Sequence, residues 1–453
     1  MRAFWVISDQ ALSSLANAAL TIVVARTVSA EGYGAFALAF AVYSLVIAMS
    51  QSVSGQVVVI RYSAESPTVL RRAGSAASGA AILLGGACAG ITAAASLVLG
   101  AAPPGDVLLA VGVLLPALVL QDTWRTVFIA HGKPVRSFVN DVVWVAAQAV
   151  SIGTLVAQDV DSAAAYVVAW GSSAAVAAIV GCWQHGVGPR FRGAAWWFSA
   201  HREVSVPSLA NALAILGTTQ IALFLIAAIG SVEDVGPIRA AQTLLGPLNI
   251  LGFALASFSV PEIVRRSLSR RRLTQVAVGL SAAMALVTVA WGTTLLLLPD
   301  DVGVALLGET WPAARDALPA MVAFACLTGA TTGASAVMRA LNRVKFNLAM
   351  ALVLGPLIVL LSTIGVSVAG ATGAAYGFAA AAALAFGPSW FFFVRALRLG
   401  RREQTLPTTA GSRPLLQQAT VGSIDSRLPT ARGDEPIKDE GAQREDRPVP
   451  PHA

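Results

Sequence analysis

The chain has 453 residues, of which 56% are hydrophobic and 12% charged, with a mean hydropathy of +0.70 and a formal net charge of +7. Soluble domains carry about 25% charged residues, so a soluble globular fold is excluded, and with it any domain count taken from length. Nor does the positive charge mark a nucleic-acid binder, because the basic residues sit in short loops between apolar spans and follow membrane topology.

The first span is predicted at 8–27 and begins SDQALSSLANAALTIVVAR, from Ser8 to Arg26. About eighteen mostly apolar residues after Asp9 suffice to cross a bilayer. Ser13, Ser14, Asn17 and Thr21 interrupt it with groups that hydrocarbon cannot hydrogen-bond, so they belong against other helices or a wet cavity. An acidic turn, SAEGYG at 29–34, leads into span two, 35–56, and the chain then reaches Arg61 and Tyr62. Spans three to six follow at 76–99, 107–130, 139–157 and 163–184. The segment GAAWWFSAHREV, 193–204, reads as a short helix lying on the cytoplasmic surface.

From 207 the opening plan returns: PSLANALAILGTTQIALFLIAAIG, the acidic turn SVEDVG, then a span ending at Arg265 and Arg266. Even SLAN recurs, at Ser14–Asn17 and Ser208–Asn211, although chance in an Ala- and Leu-rich chain also explains that tetrapeptide. Spans seven to twelve are predicted at 207–230, 237–260, 276–298, 317–338, 346–368 and 371–394. Span four ends in FIAHGKPVRSFVND and span ten in VMRALNRVKFNLA, a second pair with the same pattern of bases. Six spans followed by six like them make a parallel repeat, with two bundles and a cavity between them. The expected architecture is an all-α polytopic membrane protein of about twelve transmembrane helices, in two pseudo-symmetric six-helix bundles around a central lumen. The first bundle with its connector takes residues 1–200 and the second 201–398. Residues 399–453, rich in Pro, Ser, Thr and charge, are expected to be a disordered cytoplasmic tail.

The loops alternate in charge. One set carries Arg61, Arg71, Arg72, Lys133, Arg136, Arg190, Arg192, Arg202, the 265–272 arginines, Arg339, Arg343 and Lys345. The other carries Glu31, Asp106, Asp159, Asp161, Glu233, Asp234, Asp300, Asp301 and Glu309, with basic exceptions only at Arg26, Arg239 and Arg315. Short loops rich in Lys and Arg stay cytoplasmic, so both termini are expected inside the cell membrane. Gly86 with Gly90, and Gly373 with Gly377, form GxxxG pairs that suit close helix packing. Pro116, Pro247, Pro356 and Pro388 fall within spans and are expected to kink them. Cys88, Cys182 and Cys326 lie inside apolar spans and the four histidines are scattered, so no disulfide or metal framework is expected.

The stretches SDQALSSLANAALTIVVARTVSAEGYGAFALAFAVY, HGKPVRSFVNDVVW and GATGAAYGF resemble a polysaccharide flippase of the multidrug/oligosaccharidyl-lipid/polysaccharide exporter superfamily. The resemblance covers residues 1–398 and rests more on topology than on invariant side chains. It implies that spans one, two, seven and eight line the lumen. The implied cargo is an undecaprenyl-pyrophosphate-linked glycan, moved from the inner to the outer leaflet for surface polysaccharide synthesis. Polysaccharide polymerases and glycosyltransferases are the implied partners, beside membrane lipids. Span one lacks the proline on which some drug exporters of the superfamily bend, a departure that counts against that branch.

No phosphate loop, metal cluster or nucleophile–base pair stands out in the sequence, which points to transport without enzymatic chemistry or a cofactor. On the lumen-lining spans, Arg26 and Arg239 flank the outward openings, with Asn17, Asn211, Gln220, Gln242 and Asn249 deeper. Cations there suit a pyrophosphate and amides suit sugar hydroxyls, while snorkelling to outer headgroups is the other account of the arginines. Asp9, Asp122 and Asp141 lie near the cytoplasmic ends of spans one, four and five, and Asp122 and Arg125 are three apart on one helix. These carboxylates either couple transport to H+ or Na+ or form a structural ion pair. The rival function is a cation-coupled small-molecule or drug antiporter, which an acidic lumen would favour over a basic one.

Overall fold

A computed structural model describes residues 2–404 apart from 101, 102, 267 and 342; the rest of the predicted tail lies outside the described residues. The chain is nearly all helix. In order come α1 (Arg2–Thr27), α2 (Ala30–Tyr62), α3 (Pro67–Leu99), α4 (Pro103–Ala130), α5 (Pro134–Ala157) and α6 (Ala163–His185). There follow α7 (Trp196–Ile229), α8 (Val235–Leu244), α9 (Gly246–Arg266), α10 (Arg270–Leu296), α11 (Asp300–Ala340) and α12 (Val344–Gln404).

Among the described residues, ten helical stretches are long and apolar enough to cross a membrane. The last of them is two passes, because α12 breaks at Ala369 and Gly370, where Gly370 takes a φ of +55°. Helices α8 and α9 together occupy the stretch predicted as span eight, which the helix interruption at Leu245 divides, and α8 with ten residues is too short to cross a membrane by itself. The twelve-span reading and the ten apolar stretches therefore describe the same chain.

Helices α3, α4, α5 and α6 pack on one another, with α2 against α4 and α1 against α5. In the second half, α12 packs on α11 and on the later part of α7, and α11 also packs on α8 and α10. The first half meets α7 at the basic-loop end, where the Tyr62 hydroxyl and His201 lie 2.9 Å apart, and the two halves also touch at the acidic-loop end. There Val232 O lies so near Gly34 that a Cβ would sit 2.0 Å from it, and Gly308 lies against Ala25 and Arg26 of α1.

Four sequence expectations change. The turn predicted at 29–34 is shorter, because Ser29 caps α2 by accepting from the Gly32 N–H at 3.2 Å. Glu31 then sits in the first helical turn, where a negative charge favours the helix dipole. The 193–204 segment is not a separate surface helix but runs on into span seven. Its Trp197 is fully buried and donates its indole N–H to Val53 O at 3.0 Å, so α2 and α3 cover the aromatic face that the sequence assigned to the membrane surface. Added Cβ atoms at Gly86 and Gly90 would meet nothing within 4 Å, so this pair packs no helix, whereas one at Gly373 would lie 2.0 Å from Gly365 O. Finally, only Pro247 coincides with a helix interruption, at Leu245; Pro116, Pro356 and Pro388 sit in uninterrupted helix.

The topology is testable. Asp234 is a poor probe position, since its carboxylate accepts from the Ser231 N–H and from the Ala371 N–H, each at 2.8 Å. Its exposed neighbour Glu233 is free of that duty. Glu233→Cys should react with an impermeant thiol reagent added outside cells, and Arg270→Cys should react only after permeabilisation. The opposite pattern would invert the assignment.

Candidate functional site

A crevice of about 200 Å³ lies between α1 on one side and α8 and α9 on the other. Ser14, Asn17 and Thr21 line it from α1, Arg239 and Gln242 from α8, and Asn249 from α9. Spacings of three and four residues put the α1 groups on one face of the helix. The Thr21 hydroxyl donates to the backbone carbonyl of Asn17 at 2.8 Å, and Asn17 also lines the cavity.

Arg239 dominates the electrostatics of this crevice. Its guanidinium carbon lies 3.9 Å from the centre of the Phe40 ring on α2, a cation–π contact across the two halves. Its Nε is shielded from solvent and has no hydrogen-bond partner, and among the described residues no carboxylate forms an ion pair with it. The ring satisfies one face of the guanidinium, and its edge donors remain for an anion. Nearby, the Tyr33 hydroxyl is also buried without a partner.

The other predicted lumen residues sit elsewhere. Arg26 is exposed at the end of α1 and lies beside Gly308, outside the crevice. Gln220 is half-buried in the later part of α7. Asn211 has a buried side-chain oxygen without a partner, in the part of α7 that packs on the first half. The SLAN copies thus occupy different environments, because Asn211 lies about two helical turns further from the end of its helix than Asn17 does.

A second polar centre lies inside the first half. Arg125 on α4 reaches three carboxylates: Asp9 of α1 at 2.9 Å, Asp141 of α5 at 3.1 Å and Asp122 of α4 at 3.8 Å. Neutral groups complete it. Gln121 donates to Asp141 at 2.8 Å, Ser137 to Asp9 at 3.2 Å, and Gln51 to Asp122 at 3.2 Å. Asp9 Oδ1 is buried with no partner. Gln51 opens a π-helical turn in α2, Gln51–Gly55, a distortion of the kind that gathers at functional sites. The sequence pairing of Asp122 with Arg125 is thus the longest of the three contacts; the shorter ones reach from α4 to other helices, to Asp9 of α1 and Asp141 of α5, beyond the reach of spacing arguments along one helix. Among the described residues no group of three or more His, Cys, Asp or Glu is arranged to hold a metal.

No protein-family model and no curated protein matches the sequence. Solved structures do. An inward-facing multidrug resistance MATE family transporter of the MOP superfamily aligns with a TM-score of 0.67 at 14% identity, covering 85% of this chain and 95% of that one. The lipid II flippase MurJ, in an inward closed conformation, aligns at 0.66 with 11% identity, covering 87% and 90%. A MOP superfamily transporter from Pyrococcus furiosus, described by a reverse polarity of its binding pocket, aligns at 0.52 with 13% identity, covering 87% and 95%. The chain has the MOP-superfamily transporter fold. Proteins that share it are transporters and a flippase rather than enzymes, and the match spans nearly their whole length. With this fold, the chain is a multi-pass membrane protein, and the crevice lies between its two halves.

Proposed function

We propose that this protein flips an undecaprenyl-pyrophosphate-linked glycan from the cytoplasmic to the outer leaflet of the cell membrane by alternating access. The observation that carries the reading is Arg239, a half-buried cation whose shielded Nε has no partner and which pairs with no carboxylate among the described residues, facing a crevice lined by Asn17, Gln242 and Asn249. A guanidinium suits the pyrophosphate and the amides suit sugar hydroxyls. The polyprenyl chain stays in lipid while the sugars travel wet, which avoids stripping water from many hydroxyls.

The crevice of about 200 Å³ is smaller than the roughly 300–1,000 Å³ of ordinary ligand pockets, so cargo requires a wider state. Contacts hold both ends in this state, Gly34 with Val232 and Gly308 with Arg26 at the acidic-loop end and Tyr62 with His201 at the basic-loop end, so in this reading a wider state parts one set while the other holds. In this reading the basic loops and both termini are cytoplasmic, and the 1–200 and 201–398 bundles rock against each other. Polymerases and glycosyltransferases act before and after it.

The Arg125 centre supplies the coupling. One guanidinium cannot neutralise three carboxylates, and an excess of negative charge is costly in a dry interior, so taking up a proton relieves it. Asp9 lies on α1, the helix that also carries Ser14, Asn17 and Thr21 of the crevice. A change of charge at this centre thus loosens or tightens a wall of the cavity.

The test is reconstitution in proteoliposomes with a polyprenyl-pyrophosphate-linked oligosaccharide, read by an impermeant glycan-modifying enzyme. Protein-dependent flipping, sharply reduced by shortening the cargo headgroup to a monophosphate, is the expected result. Efflux of a cationic dye without any flipping would replace this reading by the antiporter one.

A further inference from the structure

A second cavity, of about 350 Å³, lies between α9 and α10 and shares no lining residue with the central crevice. Its floor is apolar: Ile263, Leu268, Val276 and Leu280. Polar groups surround it, with Arg272 and Gln275 on α10 and Ser259 on α9. The hydroxyl of Ser259 is shielded from solvent and has no hydrogen-bond partner among the described residues. Glu262, the acid at the rim, is paired with Arg265, so it does not cancel the charge of Arg272. Exposed Arg270 and Arg271 stand beside it.

We propose that this crevice is a binding site for an anionic phospholipid of the leaflet on the basic-loop side. The chemistry divides as a phospholipid does. The phosphate faces Arg272 with Arg270 and Arg271 near, the polar linker meets Ser259 and Gln275, and the start of an acyl chain lies on the apolar floor. Basic pockets between helices near a membrane surface take lipid headgroups in this way. A free phosphate would leave the apolar floor unused. The volume is in the range of small-ligand pockets, so it seats a headgroup and the first part of a chain and leaves the remainder among bulk lipid. The neighbouring α10 surface continues apolar through exposed Val278 and Leu286, which offers that remainder a path. The site stands independently of what the central crevice carries.

The test is native mass spectrometry of the full chain titrated with phosphatidylglycerol, with phosphatidylcholine of the same chain length, and with inorganic phosphate. Phosphatidylglycerol should bind in preference. Arg272→Gln should weaken it about fivefold while leaving phosphatidylcholine unchanged, the loss expected for one basic residue at a membrane surface. Leu280→Trp, which fills the floor, should weaken both lipids. The control Arg72→Gln, an exposed base in the second turn of α3, should change neither. Equal losses in Arg72→Gln and Arg272→Gln would show diffuse surface attraction and overturn the site. Competition by millimolar inorganic phosphate to the same extent as by lipid would overturn the assignment to a phospholipid. Unchanged binding in both Arg272→Gln and Leu280→Trp would overturn it altogether.

Discussion

Arg125→Leu is expected to be the most damaging single substitution in the first half, costing about 3–5 kcal/mol and greatly reducing the amount of inserted protein. Arg125 is the cation on which Asp9, Asp141 and Asp122 converge, and those acids are almost fully buried. Removing it strands negative charge in four packed helices, because Gln51 of α2 and Ser137 of α5 belong to the same centre. The loss therefore exceeds that of a surface ion pair, worth about 0–1 kcal/mol. Detergent melting temperatures provide the measurement. Combining Arg125→Leu with Asp9→Asn and Asp141→Asn should recover most of the stability, since Asp122, which also accepts from Gln51 at 3.2 Å, is then the one carboxylate left in the centre. The recovered triple variant should nevertheless couple transport weakly, because two of the three carboxylates that could bind a coupling proton are gone. If Arg125→Leu melts within a degree of the parent, the centre is wetter than its burial indicates. If the triple variant transports normally, the coupling role fails while the structural one stands.

Arg239 should behave in the opposite way. Holding an unpaired charge away from water costs several kcal/mol, and the contact with Phe40 returns only about 2 kcal/mol. Arg239→Met is therefore expected to keep the protein level and to melt at the same temperature or higher. Transport should fall by about ten- to a hundredfold, the loss expected for one charge-assisted hydrogen bond to the cargo. Lipid-linked glycan should then accumulate on the cytoplasmic leaflet. Arg239→Lys keeps the charge but not the planar edge, so it should transport at an intermediate rate. A stable Arg239→Met protein with the parental transport rate would reduce Arg239 to a cation–π strut between α8 and α2. A protein that fails to insert would show that the strut holds the halves together.

Much of the architecture was legible from the residues alone. Hydrophobic run length is a local property, and a bilayer demands about twenty such residues per pass, so span positions follow from the chain without any partner. The alternation of Arg-rich and acidic loops is local too. The resemblance assigns the stretch around Arg239 to the lumen, and the polar residues within it are visible in the sequence. Asn17, Gln242 and Asn249 follow from the same signal, since an amide in a membrane span needs a polar surrounding.

What tertiary structure alone decided is which of several equivalent polar residues face one another. Arg26 and Arg239 look alike along the chain, yet one is exposed beside Gly308 and the other is half-buried over Phe40. Asn17 and Asn211 share a tetrapeptide and not an environment, because helix rotation and length place them differently. The aromatic segment before span seven read as a short helix on the cytoplasmic surface, and only the groove made by α2 and α3 could show that Trp197 is buried. Arg125 is the clearest case. Three amino acids along α4 separate it from one acid, but its two shorter contacts come from α1 and α5. Sequence spacing reports neighbours on one helix, at three and four residues. Neighbours on different helices are set by the rotation of each helix about its axis and by the depth at which it packs, and neither quantity is written in any short stretch of chain.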